Sequence, residues 1–476
     1  MIVVKERRAL FASLGLFALA LVPRLYVALA WTREPVWDGH YYDIGARSIA
    51  AGRGYVGVEG GPWCHYPVGY SAWLGLAYRL FGTGAYVGPL LNALMGALSA
   101  MLVYELGRRA SEPADERRAF LAGVLVAVHP GLIAYTPLLM TETTSAWLVL
   151  VAPVLLTAGS SAWKRSVLGG AVFGLAALVR PQSLLCAPAA AWLAARAGTR
   201  RVRMISAVLS TAAALVVVAP WTVRNCVVMD GCALVSTNGG WNLAIGSFPR
   251  ATGRFETLRG SDGCTIVTGQ VQQDRCWSER AAAWISADPL RWLALVPKKL
   301  SFTFDHESFA ISYLGEADPA RWPEARKENA REFLSGFHRA LMMLAPLAFV
   351  GRPSRKEPLG IVASVAVALL GWIGIMTDTH PFWPLALALV FGATVRARTA
   401  DRDGASVYAA YVVATLILVH AVFFGEDRYH LVASPLLCLL VAYAWRAPRR
   451  ADASAAVAET EEASDRPEEA NLLAGD

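Results

Sequence analysis

The sequence predicts an all-α polytopic membrane protein with about twelve transmembrane helices. Three observations predict it. The 476 residues are 55% hydrophobic and only 17% charged, against roughly 25% charged in an average soluble domain. Apolar runs long enough to cross a bilayer recur along most of the chain. The Lys and Arg residues gather in short clusters between those runs, which is a topology signal and not the footprint of a nucleic-acid binder. Tryptophans near run ends, such as Trp31, Trp221 and Trp445, fit interfacial belts.

The first run follows Lys5-Glu6-Arg7-Arg8 and reaches Trp31. Ala28-Leu29-Ala30 mimics a cleavage site, but the run is too long for a signal-peptide core and Pro23-Arg24 interrupts it. A retained helix near 9–31 is therefore expected. Further spans are expected near 84–107, 119–137, 138–158, 167–180, 182–197, 204–223, 333–350, 359–376, 381–396, 405–424 and 430–446. Those near 167–180 and 182–197 are short and meet at Arg180-Pro181, as a tight hairpin or one bent element.

Orientation follows from the basic residues. One set of connections carries Arg108-Arg109 with Arg117-Arg118, Lys164-Arg165, Arg200-Arg201 with Arg203, Arg352 with Arg355-Lys356, Arg396 with Arg398, and Arg449-Arg450. The alternate connections are nearly free of positive charge. The positive-inside rule makes the first set cytoplasmic, along with both termini, in a multi-pass protein of the cell inner or plasma membrane.

Two exoplasmic segments then stand out, residues 32–83 and 225–332. The expected organisation is an N-terminal transmembrane module over 1–224, a long exoplasmic loop over 225–332 acting as an ordered cap, a C-terminal transmembrane module over 333–448, and a disordered cytoplasmic tail over 449–476. Cys64, Cys226, Cys232, Cys264 and Cys276 fall in the exoplasmic segments, and Cys186 and Cys438 in spans. Close pairs in an oxidising compartment favour Cys264–Cys276, then Cys226–Cys232, as disulfides. No spacing resembles a zinc ligand set.

Chemistry is expected at the exoplasmic boundary. Asp38 lies just beyond the first span, in Trp37-Asp38-Gly39-His40-Tyr41-Tyr42-Asp43, and a helix would put Asp38 and Tyr42 on one face. Asp38 is equally suited to cap a helix starting at Gly39. His65-Tyr66-Pro67 closes the same segment. Glu142 opens the fourth span, as an intramembrane acid or a first-turn residue favoured by the helix dipole. Arg180 and Arg224 end spans on the side where basic residues are scarce. They could clamp a lipid phosphate or snorkel. Lys298-Lys299 and Glu426-Asp427-Arg428 sit at similar edges, and Ser236-Thr237-Asn238-Gly239-Gly240 is a polar turn cluster.

Taken in order, these motifs resemble the GT-C superfamily of glycosyltransferases that use polyprenyl-phosphate sugars, specifically the bacterial relatives of protein O-mannosyltransferases and of the lipid A aminoarabinose transferase. The resemblance rests on Asp38 with Tyr42, Gly52-Arg53-Gly54-Tyr55, Tyr66-Pro67-Val68-Gly69-Tyr70, Thr141-Glu142, Arg180-Pro181, Pro220-Trp221-Thr222-Val223-Arg224-Asn225, Ser236-Thr237-Asn238 and Phe423-Phe424-Gly425 with Arg428-Tyr429. It covers roughly residues 5–446. It implies a GT-C fold with exoplasmic juxtamembrane helices and a capping loop domain. It also implies a polyprenyl-phosphate-linked sugar donor, a lipid, glycan or protein acceptor, surrounding membrane lipids, and no nucleic acid.

Asp38 would be the general base in an inverting transfer. The substrate would contact Tyr42, Asp43, His65, Tyr66, Glu142, Arg180, Arg224, Asn225, Asn238, Lys299 and Arg428. Arg224 and Arg180 would be the leading phosphate cations, ahead of Lys299 and Arg428. Many members carry an acidic residue after the first-loop Asp where this chain has Gly39, so no obligatory metal or cofactor is expected. Competing readings are a twelve-span secondary transporter, which would show repeats and midplane charges, and a lipid-linked glycan ligase or polymerase, which would not need Asp38.

Overall fold

The computed structural model describes residues 2–110, 116–159, 161–195, 198–264, 269–349, 382–396 and 404–444, with 362, 365, 366, 369 and 373. Among them no β-strand forms, only isolated bridges pairing Val56 with Pro62 and Arg254 with Gly425. The protein is an all-α polytopic membrane protein. Among the described residues, five helices are long and apolar enough to cross a bilayer: Glu6–Ala30 within α1 (Ile2–Ala30), α4 (Val87–Ala110), α8 (Ala162–Val179), α10 (Arg200–Val228) and α18 (Gly404–Val422). α7 (Thr141–Thr157), α17 (Trp383–Arg396) and α19 (Ser434–Ala444) are shorter apolar helices. On α1 and α10, apolar side chains such as Phe11, Val22 and Val216 face outward, which is where a bilayer removes their cost.

The expected spans coincide with described helices or helix pairs, except the one near 359–376, which lies largely outside the described residues, as does the tail from Ala451 to Asp476. Two details differ. The span near 119–137 is α5 (Glu116–Val128) followed by the short α6 (Pro130–Ala134). Pro130 has no N–H to continue the ladder, so the helix breaks there. The span near 204–223 runs on to Val228, so Arg224 and Asn225 lie inside α10 and not beyond its end.

The first of the two long connecting segments folds into α2 (Trp37–Ala50) and α3 (Val68–Phe81). The long one folds into α11 (Gly239–Ile245), α12 (Gln270–Ala287), α13 (Pro289–Ala294), α14 (Val296–Phe304) and α15 (Phe309–Ala317), then enters α16 (Glu324–Leu344). Cys226 and Cys232 form a disulfide at the end of α10, and Cys264 and Cys276 form another that fixes the loop onto α12. A small apolar core of Ile245, Phe248, Trp277, Phe424 and Tyr429 seats this cap on the turn after α18. Met1–Ala444 form one compact unit, with a single main core that runs from Ala20 on α1 to Tyr443 on α19.

The interruption at Pro23-Arg24 has a structural purpose. Arg24 is fully buried and donates to the carbonyls of Val126 and Ala127, at 2.9 and 2.8 Å, and to Ala20. Those are the last carbonyls of α5, which Pro130 cannot satisfy. A cation at a helix C-terminus is also favoured by the dipole. Arg24→Leu leaves two buried carbonyls without donors, at about 1–3 kcal/mol each. A clearly lowered apparent Tm in detergent is expected. An unchanged Tm would contradict this role.

Candidate active site

A cavity of about 500 Å³ lies between the segment over 32–83, the cap and the C-terminal ends of α8 and α18. Its lining is apolar along Val179, Leu234, Ile245, Val419 and Phe423, and polar where Asp38, His65, Arg180 and Arg428 meet. Of the residues singled out from sequence, Asp38, Tyr42, His65, Tyr66, Arg180, Asn238 and Arg428 line it. This size and mixed lining suit a small-molecule site.

Asp38 is the second residue of α2, whose N-cap is Val36. It accepts no backbone N–H, so the capping alternative does not hold. Oδ1 accepts the Tyr66 hydroxyl at 2.8 Å, and Oδ2 accepts Arg428 Nη1 at 2.5 Å. Burial alone would raise its carboxyl, but Arg428 and Tyr66 outweigh that and hold it below the usual carboxylate range. The chain enters α2 sharply, with Trp37 at φ 51°, against the rings of Phe309 and Tyr313. A Cβ at Gly39 would stand 2.4 Å from the Tyr313 hydroxyl, which accepts the Val36 N–H. The cap thus leaves no room for an acidic side chain after Asp38.

Arg428 lies in the 3₁₀ turn Asp427–Val432 after α18. Two carboxylates share its guanidinium: Asp38, and Glu426 at 2.6 Å from Nε. Its flat face lies over Phe309 and Tyr429. Burial, opposed by Arg428, pushes Glu426 up to about 7. Asp427 turns away and accepts the N–H groups of Ser308 and Phe309, which pins the turn to the start of α15.

Arg180 reaches the cavity because of the residue after it. Pro181 bars its neighbour from helical dihedrals, and Arg180 is extended at φ −143°, ψ 109°. Its Nη2 pairs with buried Glu142 at 3.1 Å, and its guanidinium lies over the Tyr429 ring. Nη1 has no partner among the described residues. Glu142 therefore stands behind Arg180 and orients it, outside the cavity lining. His65 packs edge-on to Tyr66 and Trp241, and burial lowers its pKa against the pull of Asp38. Asn238 accepts from Ser236 across the polar turn.

Four residues expected at the site are engaged elsewhere. Arg224 donates to the carbonyls of Trp63 and Tyr55 and lies over Trp221, clamping the first segment to α10. It therefore does not serve as the leading cation of the cavity. Asn225 donates to the carbonyls of Ala233 and Val235. Lys299 donates to Ala421 and Val422, the last carbonyls of α18, and burial pushes it down to about 7. Asp43 accepts Tyr78 at 2.5 Å and Arg47 at 2.6 Å, tying α2 to α3. The sequence reading passed over Gln182, Glu256 and His420, which also line the cavity. Nothing in their spacing marks them. Glu426 was only part of a longer run.

Residues 65–223 match the sequence model of a family described as dolichyl-phosphate-mannose-protein mannosyltransferase. No curated protein sequence matches the chain. Among solved structures it is similar to the archaeal oligosaccharyltransferase AglB from Archaeoglobus fulgidus in complex with an inhibitory peptide and a dolichol-phosphate. Identity there is 13% and the TM-score 0.48, over 97% of this chain and 52% of that one. The apo form of the Archaeoglobus fulgidus oligosaccharyltransferase aligns at 12% identity and TM-score 0.47, over 95% of this chain and 52% of that one. The chain spans about half the length of these structures. The likeness to that family is confined to residues 65–223, which the all-helical membrane fold carries.

Proposed function

We propose that the chain transfers a sugar from a polyprenyl-phosphate donor to a hydroxyl of a lipid, glycan or protein acceptor, with inversion, on the exoplasmic side of the membrane. One arrangement carries the reading: a carboxylate, Asp38, faces two arginines, Arg180 and Arg428, at the polar end of a largely apolar cavity. The apolar lining suits a prenyl chain and the arginines suit its phosphate. The matched family's description, which names a dolichyl-phosphate sugar, supports the donor class. The two disulfides and the gathering of Lys and Arg on alternate connections of the sequence support the sidedness.

In this reading Asp38 takes the proton of the acceptor hydroxyl. The oxygen attacks the anomeric carbon, and the bond from that carbon to the phosphate oxygen breaks. The prenyl phosphate leaves as an anion that needs no proton, and Arg180 and Arg428 stabilise the charge as it develops. Without donor, Asp38 is held by Arg428 and is a weak base. A phosphate that claims the Arg428 guanidinium releases Asp38 and raises its basicity, so the base becomes competent only when the donor is bound.

Two outcomes follow. Asp38→Asn, assayed with a panel of polyprenyl-phosphate sugars, should lose about 10²–10⁴-fold in kcat while still binding donor; wild-type turnover would remove Asp38 from the base role. Glu426 sets the second. Below pH about 7 it is neutral and the Asp38–Arg428–Glu426 group carries no net charge; above it the group is net negative. Affinity for an anionic donor should therefore fall as pH rises through about 7. Glu426→Gln should flatten that dependence, and an unchanged profile in the variant would contradict it.

A further inference from the structure

We infer that Glu307, His338 and His430 form a binding site for a divalent transition metal, zinc by its ligand chemistry, that is separate from the cavity. Their ligating atoms lie within 4.8 Å of one another and all three residues are buried. They come from the loop before α15, from α16, and from the 3₁₀ turn that carries Arg428.

The hydrogen bonds fix which ring nitrogens face inward. His430 Nδ1 is 2.7 Å from the Thr303 carbonyl, and His338 Nε2 is 2.9 Å from the Phe304 carbonyl. A carbonyl only accepts, so each of those nitrogens carries the proton. His430 Nε2 and His338 Nδ1 are then bare lone pairs, and neither has a partner. Both oxygens of Glu307 likewise lack a hydrogen-bond partner, with Oε2 3.5 Å from His430 Nε2. Three acceptor atoms lie within 4.8 Å of one another in a buried space with no donor among them, and the rings of His338 and His430 stack at 3.7 Å. One added proton would bridge a single pair and leave the third acceptor bare. A cation at the centre satisfies all three.

The set also has the features of a metal site. Two donor atoms about 2.0–2.1 Å from a tetrahedral ion stand roughly 3.3 Å apart, close to the Glu307–His430 separation. Each imidazole donates its other N–H to a backbone carbonyl, as metal-ligating histidines do. The backbone is held in advance: Ser335 exchanges hydrogen bonds with the Glu307 main chain. Gly131 leaves the space for the carboxylate, since a Cβ there would stand 1.6 Å from Glu307 Oε1. Nearby His129 is not a ligand. Its Nδ1 accepts the Leu132 N–H, so its Nε2 keeps the proton. Two imidazoles and a carboxylate suit zinc, with one position left for water. The metal would be structural. It ties α16 and the loop before α15 to the turn that presents Arg428, two residues before His430.

The test is metal content by mass spectrometry after purification on a non-histidine affinity tag, followed by incubation with zinc sulfate and desalting. Wild type and His129→Gln should retain about one zinc per chain. His338→Ala and Glu307→Gln should retain almost none. Wild type without zinc, or a His338→Ala protein that holds as much as wild type, would overturn the site. Should the variants fail to fold, cobalt added to wild type decides: a visible absorption band typical of tetrahedral cobalt supports the site, and its absence overturns it.

Discussion

The cavity is organised around the contact between Asp38 and Arg428. These residues lie at opposite ends of the chain, one at the start of α2 and one after α18. Their pairing joins the first long connecting segment to the last membrane helices. Every neighbour bears on it. Tyr66 shares the carboxylate, Glu426 shares the guanidinium, Phe309 and Tyr429 sandwich its flat faces, and Asp427 pins its turn to α15. A largely buried charge pair is costly to leave half-made, so whatever separates it must replace one partner with an equivalent charge. In the proposed transfer a phosphate would do this for the arginine, and the freed carboxylate would be the base.

The helices were legible in the sequence because a bilayer demands long apolar runs, and these stand out against a chain with few charges. The disulfides were legible because each pair lies close in sequence and in one connecting segment. The role of each arginine was not. Arg180, Arg224 and Arg428 all sit near outer helix ends, and spacing alone ranked Arg224 above Arg428. The structure reverses that order, because α10 continues past Arg224 and directs it at the carbonyls of Trp63 and Tyr55. Pro181, by contrast, advertises why Arg180 leaves its helix.

Asp38 and Gly39 teach the same lesson at closer range. A carboxylate before a helix reads as a cap, and only the position of the helix start, at Trp37 and not Gly39, removes that reading. Gly39 reads as a departure from a family pattern, and its cause is the hydroxyl of Tyr313, far along the chain in the cap. Glu307, His338 and His430 show the limit of spacing most plainly. No ligand motif joins them, and they meet only because the cap, α16 and the last turn pack together.

The competition for Arg428 is measured most directly by equilibrium binding of a polyprenyl monophosphate to purified wild type, Asp38→Asn and Arg428→Gln. The account predicts tighter binding by Asp38→Asn, whose arginine is no longer held, and weak binding by Arg428→Gln. Equal affinity in wild type and Asp38→Asn, or undiminished binding by Arg428→Gln, would contradict it.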